Sequence, residues 1–243
     1  MRVDLPIPKS ALAIAAHPDD IEFECGATLA KWTAAGATCH LLICTDGRKG
    51  TWDVNADTDA LIARRQGEQR EAARRLGATG EVRFLGVEDG ELVAHVGHRS
   101  AVARIIRELT PDVVLGHDPW RRWRMHPDHR AAGFLAVDGV VAARDPHYHP
   151  EHGISHHRPA HLLLFECEQP DLVERIDNAH LEAKVQALLA HESQFETTMV
   201  INVDDDGSQA DAFRQRTRAA AVTVGRSAGV PLGESFRLLD PAT

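Results

Sequence analysis

Several features are missing from this sequence. After its first apolar run, residues 11–16, there is no glycine-rich turn. Only glycine lets a backbone approach a pyrophosphate closely, so a plain nucleotide-binding fold is disfavoured. The four cysteines, Cys25, Cys39, Cys44 and Cys167, include no CxxC pair. They read as small core residues in a reducing compartment, with no zinc ribbon or redox motif among them. No apolar stretch is long enough to span a membrane, and the N-terminal one is too short for a signal peptide. A soluble, cytoplasmic protein that does not meet a membrane is expected. Positive charge is not in surplus either: the formal net charge is -9. A general nucleic-acid binder needs a basic surface, so no nucleic-acid partner is expected. The apolar fraction of 43% and charged fraction of 26% over 243 residues suit one globular domain, residues 1–243, with a sizeable core.

Two short polar clusters stand out against this ordinary background. The first is His17-Pro18-Asp19-Asp20, directly after the apolar run and before a helical pattern. The second is His126-Pro127-Asp128-His129, following another apolar run and also preceding a helix. In open α/β sheets, ligands bind at the carboxyl ends of the strands. His17, Asp20 and His129 could there make a three-ligand site with an open position, which catalytic zinc requires. Asp19 and His126 remain as a base and an acid. Each cluster also suits a helix start, with Asp19 and Asp128 as N-caps and the prolines at helix entry. Capping does not, however, call for histidines beside each aspartate.

Strands are expected at residues 11–16, 39–44, 82–85, 112–116, 161–167 and 173–176. Between or after them the spacing of apolar residues predicts helices at 24–35, 57–77, 96–109, 128–143, 179–190 and 210–224. The alternation implies an α/β class: a mostly parallel sheet flanked by helices, with right-handed crossovers. The chain after residue 224 is glycine-rich and reads as loop. Residues 145–159 hold five of the 15 histidines without any period, and suit a surface loop better than a second metal site. Trp120 and Trp123, in the loop before the second cluster, could supply an apolar platform for a sugar face, or could pack in the core or an interface.

With these motifs in view, the chain resembles the LmbE-like, or PIG-L, zinc-dependent de-N-acetylase family. The resemblance is carried by Ala16-His17-Pro18-Asp19-Asp20, Gly26-Ala27-Thr28-Leu29-Ala30, Thr45-Asp46-Gly47 and Asp89-Gly90-Glu91-Leu92. His126-Pro127-Asp128-His129, Lys184 with His191-Glu192-Ser193-Gln194-Phe195, and Gly233-Glu234-Ser235-Phe236-Arg237 extend it over most of the length. Asp118-Pro119-Trp120 makes it most similar to the diacetylchitobiose deacetylases. Some thiol-pathway members have a tyrosine just before the second cluster, where this chain has Arg124. The resemblance implies a Rossmann-like fold, a homo-oligomer (trimer or hexamer), and hydrolysis of the acetamide of an N-acetylglucosamine unit in a small amino-sugar substrate. The metal would be Zn2+, with Fe2+ or another divalent ion as alternatives. It also implies that Asp128 orients His126 and keeps it protonated, and that Arg65 and Asp89 contact the sugar.

Other readings stay open at this point. The substrate could be a thiol-glucosaminyl conjugate or a glycosylated secondary metabolite. Two histidines and a carboxylate also suit a non-haem Fe(II) oxygenase, although those sit on all-β double-sheet folds. A non-catalytic metal- or sugar-binding module would not need both Asp19 and His126.

Overall fold

A computed structural model describes residues 1–242. Its elements in chain order are β1 (Arg2–Val3), β2 (Ser10–Ala15), α1 (Asp20–Ala34), β3 (Thr38–Thr45), α2 (Thr58–Arg75), β4 (Val82–Val87) and α3 (Val96–Leu109). There follow β5 (Val113–His117), α4 (Pro127–Arg144), β6 (His161–Phe165), β7 (Leu172–Arg175), α5 (Asn178–Leu188), α6 (Ser208–Ser227) and β8 (Gly233–Leu239).

The central strands are apolar throughout because both faces of the sheet are covered. In β2, Ala11, Ala13 and Ala15 face a core that includes Ile21, Leu29 and Trp32 of α1. Leu12 and Ile14 face the opposite core, built with Val102 and Ile106 of α3 and Leu135 of α4. Side chains along a strand alternate between faces, so one continuous apolar run feeds two cores. No described helix is long and apolar enough to cross a membrane.

The sheet order is β1-β7-β8-β6-β5-β2-β3-β4. All the pairings are parallel except those of β8, which runs antiparallel to β6 and β7. The α/β architecture with a mostly parallel sheet is therefore as expected. From β2 the chain moves outward through β3 to β4, then returns to the other side of β2 as β5. The order thus reverses between β2 and β5, and the loops leaving these two strands diverge to open a crevice at their carboxyl ends. Both polar clusters emerge there.

The expectation of a loop-like C-terminus is corrected. Residues 233–239 form β8, whose Phe236 is fully buried. Glu234 and Arg237 hid an apolar alternation, and the strand is set by pairing with neighbours on both sides. Glu234 also repairs α1, which breaks at Cys25 (φ -139°, ψ 15°). Beyond the break the Glu234 carboxylate accepts hydrogen bonds from Ala27 N at 3.2 Å and Thr28 N at 2.7 Å. On the other side Lys184 Nζ donates to Phe23 O and to Glu234 Oε1, both at 2.6 Å. The pair thus satisfies backbone groups that an unbroken helix would satisfy itself.

Removing one partner of such a buried pair strands the other charge. Glu234→Ala should lower stability by roughly 3 kcal/mol, read as a lower urea midpoint with unchanged slope. An unchanged midpoint would show that the broken helix needs no partner.

Candidate active site

His17 leaves the end of β2 and is nearly enclosed, with 8% of its surface exposed. Its Nδ1 lies 3.1 Å from His129 Nε2 and 3.4 Å from Asp20 Oδ2, and Asp20 Oδ1 lies 3.3 Å from His129 Nε2. Tetrahedral ligands roughly 2.0–2.1 Å from a zinc ion stand about 3.3 Å from one another. The two imidazole nitrogens stand at this spacing from each other and each from one oxygen of the Asp20 carboxylate, and the donor types fit a small divalent cation. The three residues come from the turn after β2, the first residue of α1 and the first turn of α4, so only the β2–β5 crevice brings them together.

His17 Nε2, the nitrogen pointing away from this cluster, lies 3.2 Å from both Asp89 Oδ1 and Asp128 Oδ2. Such carboxylates fix ring orientation and leave Nδ1 directed at the cluster. Burial alone would lower the His17 pKa, but hydrogen bonding to Asp128, Asp20 and Asp89 outweighs it and holds the ring well above its usual value. His129 goes the other way. Burial, together with the nearby His117, His17 and Arg124 charges, pushes it down to about 3, against the pull of Asp20. Asp20 is buried too, but hydrogen bonds from His117 and His17 keep it well below the usual carboxylate range.

Asp19 faces the crevice from the other side of the same turn. Burial raises its carboxyl to about 6, against the opposing charge of Arg65. Its Oδ2 is buried without a hydrogen-bond partner, 3.9 Å from Arg65 Nη2. His126 lies on the rim, exposed, with its ring 4.6 Å from that of His17. A cavity of about 450 Å³ opens between them, walled also by Trp52, Gln194 and Thr197.

The structure brings His17, Asp19, Asp20, Asp89, His126, Asp128 and His129 to this one edge. It changes the expected roles of several residues. Asp128 does not hold the His126 ring with its carboxylate. That carboxylate serves His17 and accepts from Gly90 N at 2.6 Å and Leu92 N at 3.2 Å. The Asp128 backbone N–H instead donates to His126 Nδ1 at 3.3 Å, which leaves the proton of the neutral ring on Nε2. Burial and the His17 charge lower the His126 pKa. Arg65 lines the cavity, yet its guanidinium donates to Gly47 O at 2.8 Å and Pro18 O at 2.7 Å. Gly47 is needed there, since a Cβ would come 2.7 Å from Arg65 Nη1 and φ is +69°. Asp89 is likewise engaged with His17 and with Lys49 N.

Trp120 and Trp123 do not line the cavity. Trp120 meets Phe134 edge-on and Trp123 is 86% exposed. The aromatic wall is Trp52, in the loop after β3, whose single tryptophan gave no periodic signal. Sequence reasoning also missed His117, the last residue of β5. Its Nε2 lies 3.3 Å from Asp20 Oδ2 and its Nδ1 lies 2.9 Å from Glu166 Oε2. A histidine one residue past an expected strand end was the available signal. In the histidine-rich segment, His149, Glu151 and His152 lie close enough to share an ion. Both His152 nitrogens are already engaged, however, with Ser100 Oγ at 2.9 Å and Arg107 Nη1 at 3.4 Å. The adjacent Arg107 cation adds to the case for a structural role.

The family model described as PIG-L, GlcNAc-PI de-N-acetylase, matches residues 12–140. That span holds every ligand-type residue of the crevice except Glu166. A diacetylchitobiose deacetylase from Thermococcus kodakarensis is 33% identical over 190 residues, 77% of this chain and 70% of that protein. A 1D-myo-inositol 2-acetamido-2-deoxy-alpha-D-glucopyranoside deacetylase from Streptomyces avermitilis is 33% identical over 175 residues, 62% of this chain and 58% of that protein. Among solved structures, the N,N'-diacetylchitobiose deacetylase from Pyrococcus horikoshii has a TM-score of 0.84 at 30% identity, covering 97% of this chain and 85% of its own. With the matched segment covering more than half its length and the crevice residues inside that segment, the chain belongs to the PIG-L de-N-acetylase family.

Proposed function

We propose that this protein is a zinc-dependent N-deacetylase that hydrolyses the acetamide of an N-acetylglucosamine unit in a small sugar, releasing acetate and a free amine. The observation that carries this reading is the joint placement of His17, Asp20 and His129 at metal-ligand spacing, with Asp19 and His126 flanking them at one cavity. The relatives named for diacetylchitobiose and for an acetamido-glucopyranoside support the substrate class. The predominantly parallel α/β sheet speaks against a non-haem Fe(II) oxygenase.

His17 through Nδ1, His129 through Nε2 and Asp20 would hold the zinc, or ferrous iron in its place. A divalent cation there polarises the acetamide carbonyl and lowers the pKa of adjacent water from ~15.7 to about 7. Asp19, which lines the cavity and whose carboxyl is raised to about 6 by burial, takes a proton from water as the water oxygen attacks the acyl carbon. The same carboxyl then delivers that proton to the nitrogen as the C–N bond breaks. His126 donates from Nε2 to the developing oxyanion, and needs no net charge to do so. Asp89 and Asp128 keep the His17 ring aimed throughout. Trp52, exposed on the cavity rim, offers a flat apolar face to the C–H side of a pyranose.

His17→Ala, Asp20→Ala and His129→Ala should each lose stoichiometric zinc and acetate release together, measured by metal analysis and an acetate assay. Full metal content in all three would overturn the ligand set. Asp19→Asn should keep its metal and its fold but lose about 10²–10⁴ in turnover, and a near-normal rate would place the base elsewhere. Trp52→Ala should raise KM for an N-acetylated disaccharide about 5–30-fold, from the loss of roughly 1–2 kcal/mol of aromatic contact, with kcat little changed. Equal KM for both proteins would remove Trp52 from the sugar site.

A further inference from the structure

One peptide plane, that between Pro18 and Asp19, is gripped at both ends by a single helix. Its carbonyl, Pro18 O, accepts from Arg65 Nη2 at 2.7 Å. Its amide, Asp19 N, donates to Gln69 Oε1 at 3.1 Å. Arg65 and Gln69 are four residues apart on α2 and so share one face, a turn apart. They are 3% and 0% exposed. The residue they hold is in the left-handed region, with φ 100° and ψ -27° at Asp19, which L-residues other than glycine rarely adopt.

The left-handed turn has a geometric result. Asp19 and Asp20 are adjacent, yet their carboxylates serve different places. Asp20 turns to His17, His117 and His129, while Asp19 lines the cavity, with its Oδ2 buried 3.9 Å from Arg65 Nη2.

Gln69 is itself held. Its Nε2 donates to Glu22 Oε1 at 2.7 Å, and the second Glu22 oxygen lies 3.4 Å from His191 Nε2. Glu22 and His191 are fully buried. A carboxylate beside the NH2 group decides which way round the amide sits, so Oε1 is left for Asp19 N. This gives the late residue His191, in its own turn after α5, a physical link to the first cluster.

We propose that Gln69 is a positioning residue, which with Arg65 clamps the Pro18–Asp19 peptide and so aims the Asp19 carboxylate into the cavity. The proposal rests on the deacetylase reading, because Asp19's part in that reaction gives its aim a kinetic consequence. A misplacement of about 1 Å in a reacting group costs on the order of 10²-fold in rate.

The test is a double-mutant cycle. Gln69→Met keeps the side-chain length but has no amide, and Gln69→Asn keeps the amide but is one methylene shorter. Each is made in the wild-type and in the Asp19→Asn backgrounds, as zinc-loaded full-length protein checked for fold by circular dichroism. With N,N'-diacetylchitobiose, kcat should fall by about 10–100-fold in the wild-type background, with KM within about twofold. In the Asp19→Asn background the same changes should cost less than about twofold, because the group they act through is already disabled. An equal fractional loss in both backgrounds would mean a merely structural role and overturn the proposal, as would full kcat in either folded single variant. A crystal structure of Gln69→Met supplies a readout independent of turnover. Movement of Asp19 out of the left-handed region, or of its carboxylate out of the cavity, supports the clamp, and an unmoved Asp19 overturns it. If the wild-type protein releases acetate from no N-acetylated sugar, the deacetylase reading fails, while the crystallographic result still decides the clamp.

Discussion

The structure depends on one imidazole, His17, held among three carboxylates at an edge where water is largely excluded. Asp20, Asp89 and Asp128 all lie within 3.4 Å of its nitrogens. Charges removed from water must be paired or they lose their ionised form, so each of these acids requires a partner brought by tertiary structure. Asp89 arrives after β4, Asp128 at the start of α4, and Asp20 at the start of α1. His117 extends the network by linking Asp20 to Glu166. Glu166, itself in a left-handed conformation with φ 57°, also accepts from Arg121 and Arg124.

The walls of the cavity are tied to the same framework. The loop after β3 is held by Arg65 through Gly47 O and by Gln194, whose Nε2 donates to Gly50 O at 3.0 Å. The segment carrying Gln194 is fastened to α2, where Ser193 N and Oγ donate to Glu68 at 2.9 and 2.5 Å. Thus α2 supports both the loop that presents Trp52 and the turn that presents Asp19. Groups that act on a bound molecule need such support, because the loops carrying them have little packing of their own.

Much of the fold was readable along the chain. Continuous apolar strands and helical spacing placed most elements within a few residues of their observed bounds, as with α3 at 96–109. The exceptions are instructive. α1 begins at Asp20, four residues before its apolar spacing becomes clear, because its first turn is spent on the site. β8 was read as loop, since a polar-looking strand becomes recognisable only when β6 and β7 lie on either side of it. The amide Gln69 carried no pattern at all, and His117 was marked only by its place one residue past an expected strand end.

The sequence by itself determined the chemistry that this edge of the sheet can perform. Two histidine–aspartate clusters, one directly after an apolar strand and the other separated from its strand by the loop 118–125, pointed to the carboxyl edge of the sheet. Tertiary structure alone decided which atom of each residue faces which partner. Asp128 turned to His17 and not to His126, Arg65 became a clamp on backbone carbonyls, and the aromatic wall moved from Trp120 and Trp123 to Trp52. Spacing along a chain specifies the face on which a side chain emerges, whereas hydrogen-bond partners depend on distances of about 3 Å between elements far apart in sequence. Those distances exist only once β2 and β5 lie side by side.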